Sequence, residues 1–128
     1  MSFKKVKGGV CAPKGFLGGA LGCGIKDPAN PRTDLTLIYS QHPCVSAGTF
    51  TTNRVKAAPV KVTQAHLRAL DLRAIVANSG NANACTGVRG IEDARTMAKT
   101  VAASLGLRQR EVGVCSTGVI GLPLPMER

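Results

Sequence analysis

The stretch that decides the fold is LRAIVANSGNANACTG, residues 72–87, because an apolar run changes within it to a polar one. Residues 72–77 are apolar apart from Arg73, a pattern typical of a short strand buried on both faces. Residues 78–87 hold three Asn, one Ser and one Thr, with glycines available for tight turns. We therefore predict a buried strand that ends in a polar segment.

The clearest helix follows at residues 90–105, where apolar side chains recur at helical spacing. Glu92 and Asp93 lie in its first turn, where acidic groups suit the helix dipole, and Gly106 is placed for a carboxyl-terminal cap. Residues 111–116 predict the next strand. Together these elements predict an α/β domain in which helices pack on a layered sheet.

The amino-terminal half gives weaker patterns. Residues 33–40 predict a strand, and residues 44–52 predict a second one close enough to pair with it in antiparallel fashion. A short extended piece is expected at residues 60–62, followed by a helix that Thr63 would cap and that would end at Leu70.

The glycine-rich run GGALGCG at residues 18–24 is interpreted as structural. It lacks the Lys-Ser/Thr ending of a phosphate-binding loop, and as a dinucleotide fingerprint it lacks a clear preceding strand. Pro28 and Pro31 follow at once and oppose a helix there.

The chain is strongly basic, with 17 Lys and Arg against 7 Asp and Glu and a formal net charge of +10. A basic domain suggests nucleic acid, but aromatic residues make up only 3% of the chain and the cations are spread out. We therefore expect no nucleic-acid partner, and prefer an anionic substrate or an acidic partner segment. Nucleic-acid binding remains an alternative that predicts salt-sensitive affinity.

Five cysteines occur without any CxxC pair, and the two histidines, His42 and His66, do not complete a zinc ligand set. We expect reduced thiols and no metal, although a catalytic cysteine paired with one histidine stays open. No targeting segment and no apolar run of membrane-spanning length are visible. A cytoplasmic protein without a membrane partner is therefore expected.

Two segments could carry chemistry. Thr117 and Gly118 offer a hydroxyl and an unobstructed backbone N–H just past the last predicted strand, which is the donor pair that an oxyanion hole requires, although an ordinary strand-exit turn would look the same. Asn78, Asn81 and Asn83 could orient a polar substrate, support the site, or form a turn that leads into the helix. No serine in either segment has a visible base, and Met1 leaves no amino-terminal nucleophile.

Four blocks of this sequence resemble the ornithine acetyltransferase family, also known as glutamate N-acetyltransferases. They are APKGF at 12–16, FTTNRVKAAPV at 50–60, VANSGNANACTG at 76–87, and STGVIG at 116–121 followed by LPM at 124–126. The blocks run in the family's order and cover nearly the whole chain, so their joint occurrence is specific.

The resemblance implies a single precursor that cleaves itself before an internal Thr. That Thr becomes the amino-terminal nucleophile of a second chain, the β chain, with its own α-amine as the base. The enzyme takes acetyl from N-acetylornithine and gives it to glutamate in arginine biosynthesis. Some members also use acetyl-CoA as co-substrate, and no other cofactor is implied. The family's oxyanion pair matches Thr117 and Gly118, its fold is layered α/β, and its assembly is an α2β2 heterotetramer.

The departure from the family pattern is length. In the family, the first chain continues past the LPM block to an Ala-Thr cleavage point, whereas this sequence has no Ala-Thr pair and ends at Arg128. We therefore expect residues 1–128 to be the amino-terminal part of an α chain, one domain or part of one, with the nucleophile beyond it. Such a chain would be inactive alone and would associate with its missing half or with another copy. The alternative is a non-catalytic binding or assembly module of the same family.

Overall fold

The computed structural model describes residues 3–29 and 32–128. Four strands and two α-helices make up the regular structure of these residues: β1 (Phe16–Leu21), β2 (Leu35–Ser40), α1 (Ala58–His66), β3 (Ala74–Asn81), α2 (Gly87–Leu105) and β4 (Val112–Val119). Short 3-10 helices lie at Gly9–Cys11, Leu67–Ala69 and Gln109–Glu111. The α/β prediction is confirmed, as are the strand in residues 33–40 and the long helix with Gly106 as its left-handed cap. The helix begins at Gly87 rather than at residue 90, so the prediction that Glu92 and Asp93 lie in its first turn is wrong.

The strands form one mixed sheet in the order β1-β2-β3-β4. β2 pairs antiparallel with both β1 and β3, whereas β3 and β4 run parallel and are joined by α2. A parallel pair needs such a crossover, because a tight hairpin can join only antiparallel strands. The strand, helix and strand of the carboxyl-terminal half therefore form one βαβ unit.

The core lies between the helices and one face of the sheet. Alternate residues of the parallel pair point into it, and Ala74, Val76, Val112 and Val114 are all buried. α2 meets these side chains with a row of alanines spaced four residues apart, namely Ala94, Ala98 and Ala102. Because alanine is small, the helix lies close to the sheet, which explains how a core with few aromatics is filled.

The opposite face of the sheet carries no α-helix among the residues that the structure describes, although the 3-10 helix Gly9–Cys11 packs on it at Gly18. Ile75 is 40% exposed there, and Cys115 and Thr117 are exposed as well. At the β1 edge, Leu17 and Leu21 are about half exposed. In the described part of the chain, apolar side chains on this face and at the β1 edge are therefore partly exposed to solvent.

A helix is present in residues 63–69 as predicted, but the extended piece at residues 60–62 and the cap at Thr63 are wrong. α1 begins at Ala58 with Pro59 in its first turn, a position that proline favours because it has no N–H to leave unpaired. Thr63 is inside the helix, and its hydroxyl accepts from Val114 N and donates to Val114 O, both at 2.8 Å. His66 Nδ1 lies 2.8 Å from Val112 O. These side chains cover the outer backbone edge of β4, which would otherwise be free to pair with another strand.

The strand predicted at residues 44–52 is also wrong, and β2 pairs instead with β1 and β3. The small residues of this stretch offer little surface to bury on a sheet. It is held by Ser46, whose N–H donates to Leu70 O and whose hydroxyl accepts from Leu72 N. β1 was not predicted because glycines hide its pattern. A Cβ at Gly18 would come within 2.7 Å of Cys11 Sγ, so the glycine permits close packing.

No α-helix in the described ranges is long and apolar enough to span a bilayer. Pro31, one of the two prolines cited against a helix after residue 24, lies outside the described residues, whereas Pro28 lies within them.

Candidate active site

The site predicted from sequence is brought together at the carboxyl ends of β3 and β4. Thr117 and Gly118 lie inside β4 rather than just past it, so that detail of the prediction is wrong. β3 likewise continues through Asn81, so Asn78 and Asn81 belong to the strand and not to a turn. The parallel register places the Thr117-Gly118 pair directly beside Ser79-Gly80.

The paired glycines are required by the backbone. Gly80 has φ of +132° and Gly118 has φ of +129°, a region that residues with side chains rarely adopt. A Cβ on Gly118 would overlap the carbonyl of Gly80, and a Cβ on Gly80 would come within 2.8 Å of Ile25 Cγ2. The two strands can therefore approach here with bare backbone and no intervening side chain.

Thr117 is exposed on the face of the sheet that carries no described α-helix. Its hydroxyl makes no side-chain hydrogen bond with any residue in ranges 3–29 and 32–128, whereas Thr63 and Thr86 use theirs. A free hydroxyl followed by a glycine N–H can supply two donors to an oxygen that develops negative charge. This arrangement can support acyl transfer if a nucleophile is brought to it.

Asn78 points to the other side of the sheet, toward α2. It is 3% exposed, and its Nδ2 donates to Asn81 O at 3.0 Å. Its Oδ1 has no hydrogen-bond partner among the described residues, and neither does the buried Oγ of Ser116, its neighbour in the register. Asn78 therefore braces the strand ends from behind and does not share the face of Thr117.

Asn83 and Asn81 make internal contacts. Asn83 is fully buried with φ of +48°, donates to Gly90 O at 2.8 Å and accepts from the Thr86 hydroxyl at 2.7 Å. It ties the segment after β3 to the first turn of α2. Asn81 donates to Pro123 O at 2.8 Å and so ties β3 to the carboxyl-terminal segment. Both geometries favour the supporting role over direct substrate contact.

A cavity that the sequence reasoning missed opens beside the strand ends. It has a volume of about 630 Å³ and is lined by Lys26, Asp27, Arg32, Thr33, Asp34, Ser79 and Gly80. The sequence signal for it was a glycine turn followed by closely spaced charges, at Gly24 and residues 26–34.

Asp34 organises the wall of this cavity. Its carboxylate accepts from Cys23 N at 2.8 Å, from Ile25 N at 2.7 Å and from Cys23 Sγ at 3.2 Å. The hydrogen bond from the Cys23 backbone is the main cause that lowers the pKa of Asp34. Burial, reinforced by the hydrogen bond to Asp34, raises the pKa of the Cys23 thiol to about 11. Cys23 is thus a protonated donor and a poor nucleophile.

The described residues show no cluster of three or more His, Cys, Asp or Glu side chains that could hold a metal ion. All five cysteines lie in the described ranges as free thiols, with Cys85 and Cys115 exposed.

The model of the ArgJ family matches residues 18–128 of this chain. The arginine biosynthesis bifunctional protein ArgJ of Symbiobacterium thermophilum is 51% identical over 121 residues, which are 94% of this chain and 30% of that protein. The protein of the same name from Gloeobacter violaceus is 49% identical over 127 residues, 98% of this chain and 31% of that protein. The chain thus spans less than a third of these curated relatives.

Two solved structures are similar in fold. The arginine biosynthesis bifunctional protein argJ of Bacillus halodurans superposes with a TM-score of 0.88 at 44% identity, covering 94% of this chain and 62% of that one. Ornithine acetyltransferase of Mycobacterium tuberculosis, solved in complex with ornithine, superposes with a TM-score of 0.86 at 46% identity, covering 92% and 63%. Family model, sequence relatives and fold agree, and the chain belongs to the ArgJ family of arginine biosynthesis proteins.

Proposed function

We propose that this chain supplies the oxyanion hole of an N-acetyltransferase that moves acetyl from N-acetylornithine to glutamate. The observation that carries the proposal is the placement of Thr117 and Gly118, a free hydroxyl and a bare backbone, at the exposed end of β4. Membership of the ArgJ family supports the reaction class, and the ornithine in the solved relative supports the substrate class.

The first half-reaction is an attack on the acetyl carbonyl of N-acetylornithine. The nucleophile is the hydroxyl of a threonine that begins a downstream β chain, released from the same precursor by self-cleavage, and its own α-amine takes the proton. As the new C–O bond forms, the carbonyl electrons move onto oxygen. The Thr117 hydroxyl and the Gly118 N–H donate to that oxygen and lower the barrier.

Collapse of this intermediate breaks the C–N bond, and the proton held by the α-amine passes to the departing amine of ornithine. An acetyl ester of the threonine remains. In the second half-reaction the α-amine of glutamate attacks the ester, the same two donors stabilise the second oxyanion, and N-acetylglutamate leaves as the threonine hydroxyl is restored. Acetyl-CoA is a possible alternative donor, since a thioester passes through the same type of oxyanion, and no other cofactor enters these steps.

The β chain is the proposed partner, and α2β2 is the proposed assembly. The sheet face without an α-helix supports this assembly, because Ile75 and Thr117 are exposed there. A β chain packed on this face would bury Ile75 and would close over Thr117. We place the assembly in the cytoplasm and assign it no nucleic-acid or membrane partner.

The test is a transfer assay on the complete protein, with the β chain in place. Replacing Thr117 with Ala removes one oxyanion donor and is expected to lower kcat by about 10²–10³-fold. Thr117→Ser keeps the hydroxyl and should retain most of the rate. Thr36→Ala is the matched control, because Thr36 lies on β2 and on the same face of the sheet as Thr117. This variant should keep kcat near the wild-type value.

Intact-mass measurement and amino-terminal sequencing must accompany the assay, to show that every variant is cleaved. A near-normal rate for a fully cleaved Thr117→Ala variant would remove the oxyanion role. A wild-type protein that assembles but transfers no acetyl would favour the non-catalytic binding or assembly module instead.

A further inference from the structure

We infer that Asn78 and Ser116 hold one ordered water molecule between β3 and β4, and that this water positions the Gly118 N–H. The two side chains are positioning residues, since they act through the backbone and touch no substrate. The water site follows from hydrogen bonding alone, whereas its effect on the reaction rate rests on the proposed acetyl transfer.

The two residues share a face of the sheet and leave two oxygen atoms unpaired. Asn78 Oδ1 and Ser116 Oγ are buried, and neither has a hydrogen-bond partner among the described residues. The residues are paired in the parallel register, so their side chains point to the same side. Buried polar atoms are nearly always hydrogen-bonded in folded proteins. Two neighbouring oxygens that both lack a partner therefore indicate a shared one.

The orientation of the Asn78 amide shows what this partner must supply. Asn78 Nδ2 donates to Asn81 O at 3.0 Å, and only the NH₂ end of an amide can donate to a carbonyl. The Oδ1 end is therefore an acceptor that needs a donor. Water can donate to Asn78 Oδ1 and can also donate to, or accept from, the Ser116 hydroxyl.

A groove beside Asn78 gives water a path to this position. It has a volume of about 250 Å³ and includes Asn78 in its lining, next to apolar side chains such as Val76 and Met97. Because most of the lining is apolar, a water molecule is retained only where polar atoms bind it. Asn78 and Ser116 provide such atoms at the sheet surface.

The position of Ser116 on β4 explains why the link matters for the oxyanion hole. Before it, Val114 N and Val114 O both bond a threonine hydroxyl of α1. After it, Val119 O accepts from Ala82 N at 2.9 Å. Ser116 and Gly118 lie between these two anchors, so a water bound to Ser116 fixes the strand two residues before the Gly118 N–H. A small displacement of that donor weakens its bond to the developing oxyanion.

The first experiment is a crystal structure of the complete, cleaved protein at a resolution that shows ordered water. We expect one water molecule within hydrogen-bond distance of both Asn78 Oδ1 and Ser116 Oγ. A protein group that bonds either atom, or a space without water between them, would overturn the water site.

The second experiment measures the acetyl-transfer rate per titrated active site. Ser116→Ala should lower kcat about tenfold and leave KM unchanged, because the substrate binds as before and only an oxyanion donor moves. Ser116→Thr keeps a hydroxyl and should keep most of the rate. Ser104→Ala removes an exposed hydroxyl on α2 and, as the matched control, should equal the wild type. An unchanged kcat in Ser116→Ala, or a loss that appears in KM, would overturn the positioning role.

A double variant tests whether the two residues act through the same water. Asn78→Leu has nearly the same size and should lower kcat at least as much as Ser116→Ala. Adding Ser116→Ala to Asn78→Leu should lower kcat hardly further, because the water is already lost. Losses that multiply in full would mean that the residues act separately and would contradict the inference.

The two experiments also separate this inference from the proposed function. A bridging water in a protein that transfers no acetyl would keep the water site and reject the acetyltransferase. Acetyl transfer by a protein without that water would keep the acetyltransferase and reject the inference.

Discussion

The two halves of the parallel strand pair differ sharply although they belong to the same β3 and β4. In the first half, Ala74, Val76, Val112 and Val114 are buried under the two helices. In the second half, the pairs are Ser79 with Thr117 and Gly80 with Gly118, outside the core cluster. The difference shows how one pair of strands can supply stability at one end and reactive groups at its carboxyl end, where α/β sheets usually place ligands.

The largest difference in stability is expected between two variants that each place one aspartate on β4, one in the buried half and one in the exposed half. Val112 is 0% exposed and Val119 is 47% exposed on the same strand. Val112→Asp buries an unpaired carboxylate and should cost about 4–5 kcal/mol, whereas Val119→Asp should stay within about 1 kcal/mol. Hydrogen exchange of peptides from β3 and β4 in the complete protein measures both. Equal loss of protection in the two variants would contradict the division into halves.

A smaller effect is expected in the segment that links the polar half to α2. Asn83→Ala removes the donor to Gly90 O and the acceptor for Thr86, and should cost about 1–3 kcal/mol. The matched change Asn81→Ala removes one bond to Pro123 O at a more exposed position and should cost about 1 kcal/mol or less. Urea unfolding of the complete protein compares them. A larger loss of stability in Asn81→Ala than in Asn83→Ala would contradict the assignment of Asn83 as the buried residue that holds this segment in place.

The smallest effect concerns the cavity wall and depends on pH. Hydrogen bonds from Cys23 and Ile25 lower the pKa of Asp34, so the stabilisation is fully present above the unfolded value of about 4 and is lost as pH falls through the lower folded value. Asp34→Asn should therefore be less stable than the wild type at pH 7, and the gap should narrow below pH ~4. Asp27→Asn, with one local bond, serves as control. A stability difference between Asp34→Asn and the wild type that stays constant with pH would contradict the role of the ionised Asp34 carboxylate.

Sequence patterns predicted the carboxyl-terminal half of the fold well, because its periodicity is strong. The alanine and apolar positions of α2 repeat every three to four residues, and residues 72–77 are almost wholly apolar. The amino-terminal half was predicted poorly apart from β2. Gly18 and Gly19 concealed β1, since glycine shows no side-chain alternation, and Thr63 looked like a cap while its hydroxyl in fact bonds the edge of β4.

The site was predicted in its residues but not in its geometry. The chemistry of Thr117 and Gly118 predicts their role, yet their register with Ser79 and Gly80 depends on a crossover that no local pattern specifies. Asn78 points to the face of the sheet opposite to Thr117 because side chains alternate along a strand. This alternation cannot be assigned to a segment that is predicted to be a turn. The cavity wall at Asp34 is formed by residues distant in sequence from the strand ends.

The most direct test of the account is to locate the acetyl group and time its arrival. The complete protein is mixed with N-acetylornithine, quenched and analysed by mass spectrometry of its separate chains. We predict one acetyl on the chain that begins with Thr, none on this chain, and accumulation slowed by about 10²–10³-fold in Thr117→Ala. Acetyl on this chain, or equal accumulation in the variant, would contradict the assignment of Thr117 and Gly118 as the oxyanion hole.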